Sequence, residues 1–463
     1  MCSINKNDFR KEFQKFSIEN ELFVDVKFVI TAVSGGVDSM VMLSQLNEIK
    51  DDIGFQIVIA HFNHLYRGEL SDNDELLVKE YCDKQGLKFE VERYDVLKYA
   101  KDNKISFEMA GRKLRYKFFN KLAKKYENSK IATAHILSDN SETLLLRIIK
   151  GTGLNGLQGI QPKTNNLIRP LLFAPKNDLY NFAKNNNIPF NDDHTNFEND
   201  CQRNIIRNQI LPLISEINPQ VDQSLKKLSK IASDQLELSR QIAVEEFQNL
   251  IITNKGYMIE LNLRKLLNLI SPIRNEIIFS AIRHIDIEKI NHPPFHYLEK
   301  VNNLLKNSKT GSFIRIFDNI IFLLNRDKVC ICNENFLNWK ESDIVPGKIY
   351  ERVSFIFSSE FVKFGNFSDI NNSSELIDAD KVKGRLKLRH WKEGDKFVPF
   401  GNNFSKKLSD YFIDAKVSRF EKQHVPILED EEKIVWICGL RLSNEVRVSD
   451  TTNKLLKLEY KEF

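Results

Sequence analysis

The six residues Ser34-Gly35-Gly36-Val37-Asp38-Ser39 are the ones whose types and order can do chemistry with least help from the rest of the chain. They follow an apolar, β-branched run, Val26–Val33, and precede a helical pattern that starts at Met40. A strand emptying into such a loop and then a helix presents backbone N–H groups at a helix N-terminus, which is an anion site. The two glycines let the backbone approach a phosphate closely, and the hydroxyls of Ser34 and Ser39 can add donors. Asp38 does not suit a plain anion trap, because its charge repels phosphate. It fits if a Mg²⁺ ion bridges its carboxylate and the phosphate oxygens. No lysine follows the glycines, so the G-x-x-x-x-G-K-[ST] arrangement is absent. The competing reading is an ordinary glycine-rich turn with a Ser/Asp cap, and the flanking strand and helix weigh against it.

The hexapeptide resembles the pyrophosphate loop (PP-loop) of ATP pyrophosphatases, which cut ATP between the α and β phosphates and form adenylates. On that resemblance Ser34, Gly35, Gly36, Val37, Asp38 and Ser39 hold ATP. Four further segments then acquire meaning. The second strand ends in Ala60-His61-Phe62-Asn63-His64. In a parallel sheet that end lies beside the loop, so Ala60 and His61 line an adenine pocket. The His61/His64 spacing also suits a metal, but such pairs more often make hydrogen bonds. On the helix containing Gly111-Arg112-Lys113-Leu114-Arg115, the two arginines share one face. They are either a solvated stripe or, for Arg112, a planar fork reaching into the cleft to hold phosphate or carboxylate, with Arg115 beside it on the substrate side.

His135 ends the fourth strand near the nucleotide, and Asp139 and Glu142 follow with the Asp-x-x-Glu spacing of a helix capping box. Capping and Mg²⁺ binding can coexist for Asp139, which is favoured as the second metal or phosphate-site acid; Glu142 stays open between cap and ligand. Finally, Arg203 and Arg207 lie one helical turn apart with Asn204 between them. That face contacts RNA phosphate or the substrate base, or is plain solvent-facing helix.

The elements that must position these residues follow from periodicity. Val26–Val33, Gln56–Phe62, Lys88–Tyr94 and Lys130–His135 read as strands alternating with helical patterns. That alternation predicts an α/β, doubly wound parallel sheet with ligands at the strands' C-terminal ends. Asn218-Pro219 breaks the chain, and Leu225 through Phe247 mark a long connector helix. Mixed helix and strand signals follow, then short alternating runs such as Leu386-Lys-Leu-Arg around one helix near Leu408–Ile413. The expected division is 1–216 for a catalytic domain, 217–250 for a linker helix, 251–345 for a small α+β middle domain and 346–463 for a small C-terminal α+β domain.

With 463 residues, 42% hydrophobic and 28% charged, the chain reads as a soluble globular protein of several domains. No apolar run nears the ~18 residues of a membrane span, and the N-terminus lacks a signal-peptide core. The six scattered cysteines, Cys2, Cys82, Cys201, Cys330, Cys332 and Cys438, form no Cys-x-x-Cys and read as reduced thiols in a cytoplasmic protein. The net charge of +5 is uneven: residues 381–463 carry 18 Lys+Arg against 13 Asp+Glu, and the rest of the chain carries 50 against 50. A basic C-terminal unit on a neutral body suggests a polyanionic partner.

Taken in order, strand–SGGVDS, HFNH with RG and S beyond it, GRKLRY, TAHILSDNSETLLLRIIKGTGLNGL and RNIIRNQILP resemble the tRNA(Ile)-lysidine synthetases. The resemblance spans about the first 215 residues and resumes over Arg385–Val448. It implies a PP-loop, adenine-nucleotide hydrolase-like catalytic fold, with ATP and Mg²⁺ as cofactors and Asp38 and Asp139 as metal ligands. It implies adenylation of the C2 carbonyl oxygen of the wobble cytidine in a CAU-anticodon isoleucine tRNA. Attack by the ε-amine of free L-lysine then releases AMP. Arg112 joins Asp38 and Asp139 as a catalytic residue, while Arg115, Arg203, Asn204, Arg207, Lys406 and Lys407 face the tRNA. No membrane partner is implied, and a homodimer is left open. Two departures stand out: Ser138 where the family often has a second acid, and Leu65 in place of a glycine. A related PP-loop tRNA thiolase is the alternative; it would want cysteines in the cleft, and only Cys201 lies near these motifs. A non-catalytic RNA-binding protein is disfavoured by the intact loop and Asp38.

Overall fold

Alternate side chains of one short strand enter two different cores, which fixes the architecture of the N-terminal half. In β1 (Phe28–Ala32), Val29 packs with one set of helices and Ile30 with another. A sheet covered on both faces reads as a near-continuous apolar run, as this strand does. The computed structural model describes residues 6–66, 68–191, 202–285, 295–317, 319–336, 338–352, 354–363, 373–417 and 421–462. Cys2, Arg67, Cys201 and Arg419 lie outside them. The chain forms two compact units, Met1–Leu236 and Glu237–Phe463.

In the first unit α1 (Lys6–Glu19) precedes β1, and α2 (Val37–Ile53), β2 (Gln56–Asn63), α3 (Glu69–Gln85), β3 (Lys88–Arg93), α4 (Val96–Asn103), α5 (Phe107–Lys125) and β4 (Ser129–Ala132) follow it. Then come α6 (Leu137–Ile149), α7 (Leu154–Leu157), β5 (Lys163–Thr164), β6 (Leu167–Ile168) and α8 (Lys176–Asn185). The sheet runs β3-β2-β1-β4-β6-β5, parallel except for the β5–β6 hairpin at the edge. β1 is central, with Ala32 beside Ala60 of β2 and Thr31 beside Ala132 of β4. The chain leaves β1 toward β2 and returns to its other side for β4. The loop after β1 therefore opens at the topological switch point, where a crevice forms in open parallel sheets.

The fourth strand is shorter than the sequence suggests. β4 stops at Ala132 because its partner β6 is only Leu167–Ile168; Thr133 N–H makes one last bond to the Ile168 carbonyl. His135 consequently sits in the connection to α6 rather than at the strand's end. Beyond α8 lie α9 (Gln202–Ile205), a π-helical turn at Ile206–Ile210, α10 (Leu211–Ile217) and the 30-residue α11 (Val221–Leu250). Ile206, Leu211 and Val221 pack with Leu145 and Leu146 of α6 in a small core.

The second unit is mainly antiparallel. Its first sheet has five strands in the order β7 (Ile251–Asn254), β8 (Met258–Asn262), β11 (Lys328–Asn333), β10 (Ile320–Asn325), β9 (Phe313–Ile316). It packs against α12 (Leu263–Asn268), α13 (Ser271–Ile285) and α14 (Phe295–Asn307). Two further antiparallel sheets, of five and four strands, share a core around Phe357 and Trp436. A short α15 (Leu408–Asp414) lies beside a two-stranded ribbon, Lys396–Phe397 with Lys406–Lys407. Cys82, Cys330, Cys332 and Cys438 are buried free thiols, and no helix among the described residues is long and apolar enough to cross a membrane.

Candidate active site

The loop takes its shape from hydrogen bonds among its own residues. Gly35 has φ +96°, a backbone region that favours glycine, and Gly36 caps α2. The Ser39 hydroxyl donates to the Gly36 carbonyl at 2.9 Å and accepts from Ser34 N–H at 3.2 Å. The two serine hydroxyls are 3.2 Å apart. Ser39 is thus a buried brace of the turn. The first N–H groups of α2, at Val37 and Asp38, have no carbonyl of their own helix to bond. His61, buried in β2, has Nδ1 2.9 Å from the Val33 carbonyl, while Val33 N–H donates to the Ala60 carbonyl. His61 therefore ties the second strand to the residue just before the loop, and burial holds its pKa below the ordinary value. Among the described residues no group of three or more His, Cys, Asp or Glu could hold a metal by itself.

Asp38 points at α8. Both of its oxygens accept from Lys176 Nζ at 2.8 Å. Burial raises the Asp38 carboxyl above its usual range, Lys176 pulls it back, and the negative charge of Asp139 raises it further. Lys176 escapes a sequence reading: it lies 138 positions from its partner, and its only local signal is a start-of-helix position after Pro175.

The second acidic centre is built around Glu142, not Asp139. The Glu142 side chain is 1% exposed and receives Arg203 Nε at 2.6 Å. It also receives Arg207 Nε at 2.6 Å and Arg207 Nη2 at 3.0 Å, a paired fork. Asp139 Oδ1 accepts from Arg203 Nη2 at 2.8 Å and Arg207 Nη2 at 3.3 Å, and its Oδ2 accepts from Ile136 N–H at 2.9 Å. Asp139 is thus the third residue of α6 reaching back to the helix entrance. It is not the cap residue of an Asp-x-x-Glu box, and Glu142 does no capping. The spacing fits because residues three apart share a helix face; burial, which sequence does not print, assigns the face to arginines. The two arginines come from α9 and the π-helical turn, a distortion frequent at functional sites. Asn204 lies half-buried between them.

His135 joins these groups from the β4–α6 connection, its Nδ1 3.0 Å from the Thr133 hydroxyl. Burial and the positive charges of Arg169, Arg203, Arg112 and Arg115 push its pKa down to about 3. Arg112, Arg115 and Arg203, predicted from separate segments, thus all act electrostatically on His135. Arg112 is exposed, its guanidinium 4.8 Å from the Tyr116 ring centroid. Arg115 and Arg169 each bury an Nε with no hydrogen-bond partner, and burial lowers both pKa values. Arg169, at the end of the last parallel strand, is a second residue that the sequence reading missed.

Within the second unit, Lys406 and Lys407 on the ribbon beside α15 differ. Lys406 Nζ is paired with Asp414 at 2.5 Å and its side chain is half-buried, whereas Lys407 and Lys416 are exposed. The local positive charge is smaller than a count of lysines implies.

Residues 5–214 match the PP-loop domain family and residues 386–459 the TilS substrate C-terminal domain family. The tRNA(Ile)-lysidine synthase of Clostridium acetobutylicum is 31% identical over 450 residues, covering 93% of this chain and 95% of that one. That of Clostridium tetani is 33% identical over 443 residues, covering 93% and 94%. Among solved structures, the U34-tRNA thiolase NcsA from Methanococcus maripaludis is 17% identical with a TM-score of 0.40, covering 49% of this chain and 80% of that one.

Proposed function

The chain belongs to the tRNA(Ile)-lysidine synthase family, and on that premise we propose how its own residues divide the work. The enzyme is an ATP-using ligase that forms lysidine at the wobble cytidine of tRNA(Ile). The observation that carries the site assignment is the acid-bearing loop at the switch point of the sheet, with a second acid near enough to act on Asp38 electrostatically.

A cytosine C2 carbonyl is a poor electrophile, and its oxygen is a poor leaving group. Adenylation of that oxygen by ATP supplies the leaving group, with pyrophosphate departing; the ε-amine of free L-lysine then attacks C2 and AMP leaves. The loop N–H groups of Ser34–Ser39 and the positive end of α2 hold the β and γ phosphates. Asp38 and Asp139 suit a Mg²⁺ ion, which keeps most of its ligands as water and phosphate oxygens and needs only one or two carboxylates from protein. When bound, that ion would neutralise charge building on the leaving pyrophosphate. Ala60 and His61 border the adenine. His135, neutral across the physiological range, positions substrate by hydrogen bonding and does not take up the proton of lysine. Arg112, Arg115 and Arg169 form a cationic wall suited to the RNA backbone or the lysine carboxylate. Arg203 and Arg207, with Asn204 between them, order Asp139 and Glu142, and this Arg/Asn face is the one assigned to the RNA phosphate or the cytidine. A basic face of the second unit carrying Lys407 grips the tRNA body. Separate apolar cores around Phe322 and Phe357 support a middle and a C-terminal domain, but Trp339 and Ile344 pack in the second core and Ser342–Ile344 pairs with Leu386–Leu388, so the boundary falls before residue 339 rather than at 345.

The test is incorporation of radiolabelled lysine into CAU-anticodon isoleucine tRNA. Incorporation should require ATP and Mg²⁺, and should fail on methionine tRNA bearing the same anticodon. ATP-dependent labelling absent from the isoleucine tRNA would refute the assignment.

A further inference from the structure

Resting on the reading of Ser34–Ser39 as the pyrophosphate site, we propose that Lys176 is the phosphate-binding cation which the loop's own sequence lacks. Its partner in the structure is Asp38, and it would pair with the pyrophosphate oxygens when Mg²⁺ takes that carboxylate.

Three observations support the assignment. First, Ser34–Ser39 contains no Lys or Arg, so any cation at the phosphates must come from another element. Lys176, at the start of α8, lies 2.8 Å from both Asp38 oxygens and supplies one. Second, the backbone that carries Lys176 is tied on both sides, while its side chain is partly exposed and has one carboxylate partner. Leu137 N–H bonds the Ala174 carbonyl two residues before it, and past the end of α8 Asn191 N–H bonds the Gly35 carbonyl of the loop. The Lys176 side chain is 40% exposed, and among the described residues its only hydrogen-bond partner is Asp38. Its Nζ also lies 5.3 Å from the centroid of the Tyr180 ring. By contrast Arg207, the other cation acting on Asp38, is held by Glu142 through two hydrogen bonds.

Third, the charges require a move. A divalent ion on Asp38 would place two positive charges against the Lys176 ammonium at contact distance, and like charges at that range repel. The ammonium can pivot on four methylenes, and pyrophosphate held by the loop would offer it an anion. A lysine released in this way neutralises charge on the leaving group only when the metal and nucleotide are both present. Metal-free nucleotide finds the cation still occupied by Asp38.

The experiment is calorimetric titration of inorganic pyrophosphate, with EDTA and separately with Mg²⁺. The proteins compared are wild type, Lys176→Met, Lys176→Arg, Asp38→Asn and the Asp38→Asn/Lys176→Met double variant, each checked for thermal unfolding. Lys176→Met should bind Mg-pyrophosphate about tenfold more weakly, the value of one charge-assisted hydrogen bond, and Lys176→Arg should keep most of the affinity. In EDTA, Asp38→Asn should bind pyrophosphate more tightly than wild type, because the repelling acid is gone and Lys176 is released. That gain should vanish in the double variant. Equal binding by wild type and Lys176→Met, with an unaltered gain in the double variant, would make Lys176 a structural ion-pair partner and overturn the proposal. If wild type binds neither pyrophosphate nor ATP with Mg²⁺, the loop assignment itself falls, and the proposal with it.

Discussion

Asp38 and Glu142 are both acids matched by cations, yet the structure holds them in opposite ways. Glu142 is fully enclosed and takes a fork from Arg207 and the Nε of Arg203, both planar multi-donor groups. Asp38 keeps a single lysine whose ammonium is a point charge on a flexible stem. The first arrangement is a fixture that sets where Asp139, Arg203 and Arg207 stand. The second is the looser of the two, which is what the proposed exchange of lysine for a metal at Asp38 needs. Burial alone does not separate a catalytic acid from a structural one; the number and rigidity of its partners does.

The contrast is broken most severely by neutralising the exchangeable acid. Asp38→Asn should lower pyrophosphate release with tRNA and ATP on the order of a thousandfold. Unfolding free energy should change by less than about 1 kcal/mol, since one partly exposed pair is lost. Near wild-type turnover would remove Asp38 from the chemistry. Glu142→Ala should do the reverse in stability, costing about 3 kcal/mol in denaturant unfolding because two half-buried guanidiniums lose their anion. A loss below about 1 kcal/mol would show that the arginines re-pair with Asp139 and that Glu142 is no fixture.

His135 gives the comparison a pH axis. Its folded pKa of about 3 lies below the ordinary 6.5, so the unfolded chain takes up a proton that the folded one refuses. Its contribution is therefore fully present above pH 6.5 and is lost as pH falls toward 3, at up to about 1.4 kcal/mol per unit. His135→Asn should flatten that acid limb; identical limbs in the two proteins would mean that His135 is protonated in place.

Asp139→Ala should cost about 0.5–2 kcal/mol through the unpaired Ile136 N–H and should also stop turnover, whereas Ser138→Ala should be mild in both. A stability loss with turnover intact would reduce Asp139 to a helix-entrance acceptor.

The loop was legible because its chemistry is local: strand, two glycines, acid and helix follow one another within about a dozen residues. The parallel sheet was legible for the same reason, down to Gln56 and Lys88 as strand starts. The fourth strand was overextended because its length depends on a two-residue partner distant in sequence. Glu142 was ambiguous because one spacing serves capping and ion pairing alike. Lys176 and Arg169 were missed because a lone cation carries no periodic signal, and only the folded sheet brings each to the cleft. Arg203 and Arg207 were found by their spacing, but their partners could not be.

The smallest effect concerns the charged face of the second unit, where the count of lysines misleads most. Lys406 is matched by Asp414 and sits 6.0 Å from the Tyr411 ring centroid. Reversing it would set two acids against each other and perturb α15, confusing stability with binding. Lys407 and Lys416 are exposed at the two ends of that helix, and each can reach a phosphate without disturbing a pair. Phosphate contacts position a nucleic acid and carry little sequence information. Lys407→Glu with Lys416→Glu should therefore raise KM for tRNA several-fold and reduce the salt slope of binding by about one per lost contact. KM for ATP and melting temperature should stay unchanged. If tRNA affinity and its salt slope are both unmoved, these lysines are solvated surface and the tRNA docks on another face.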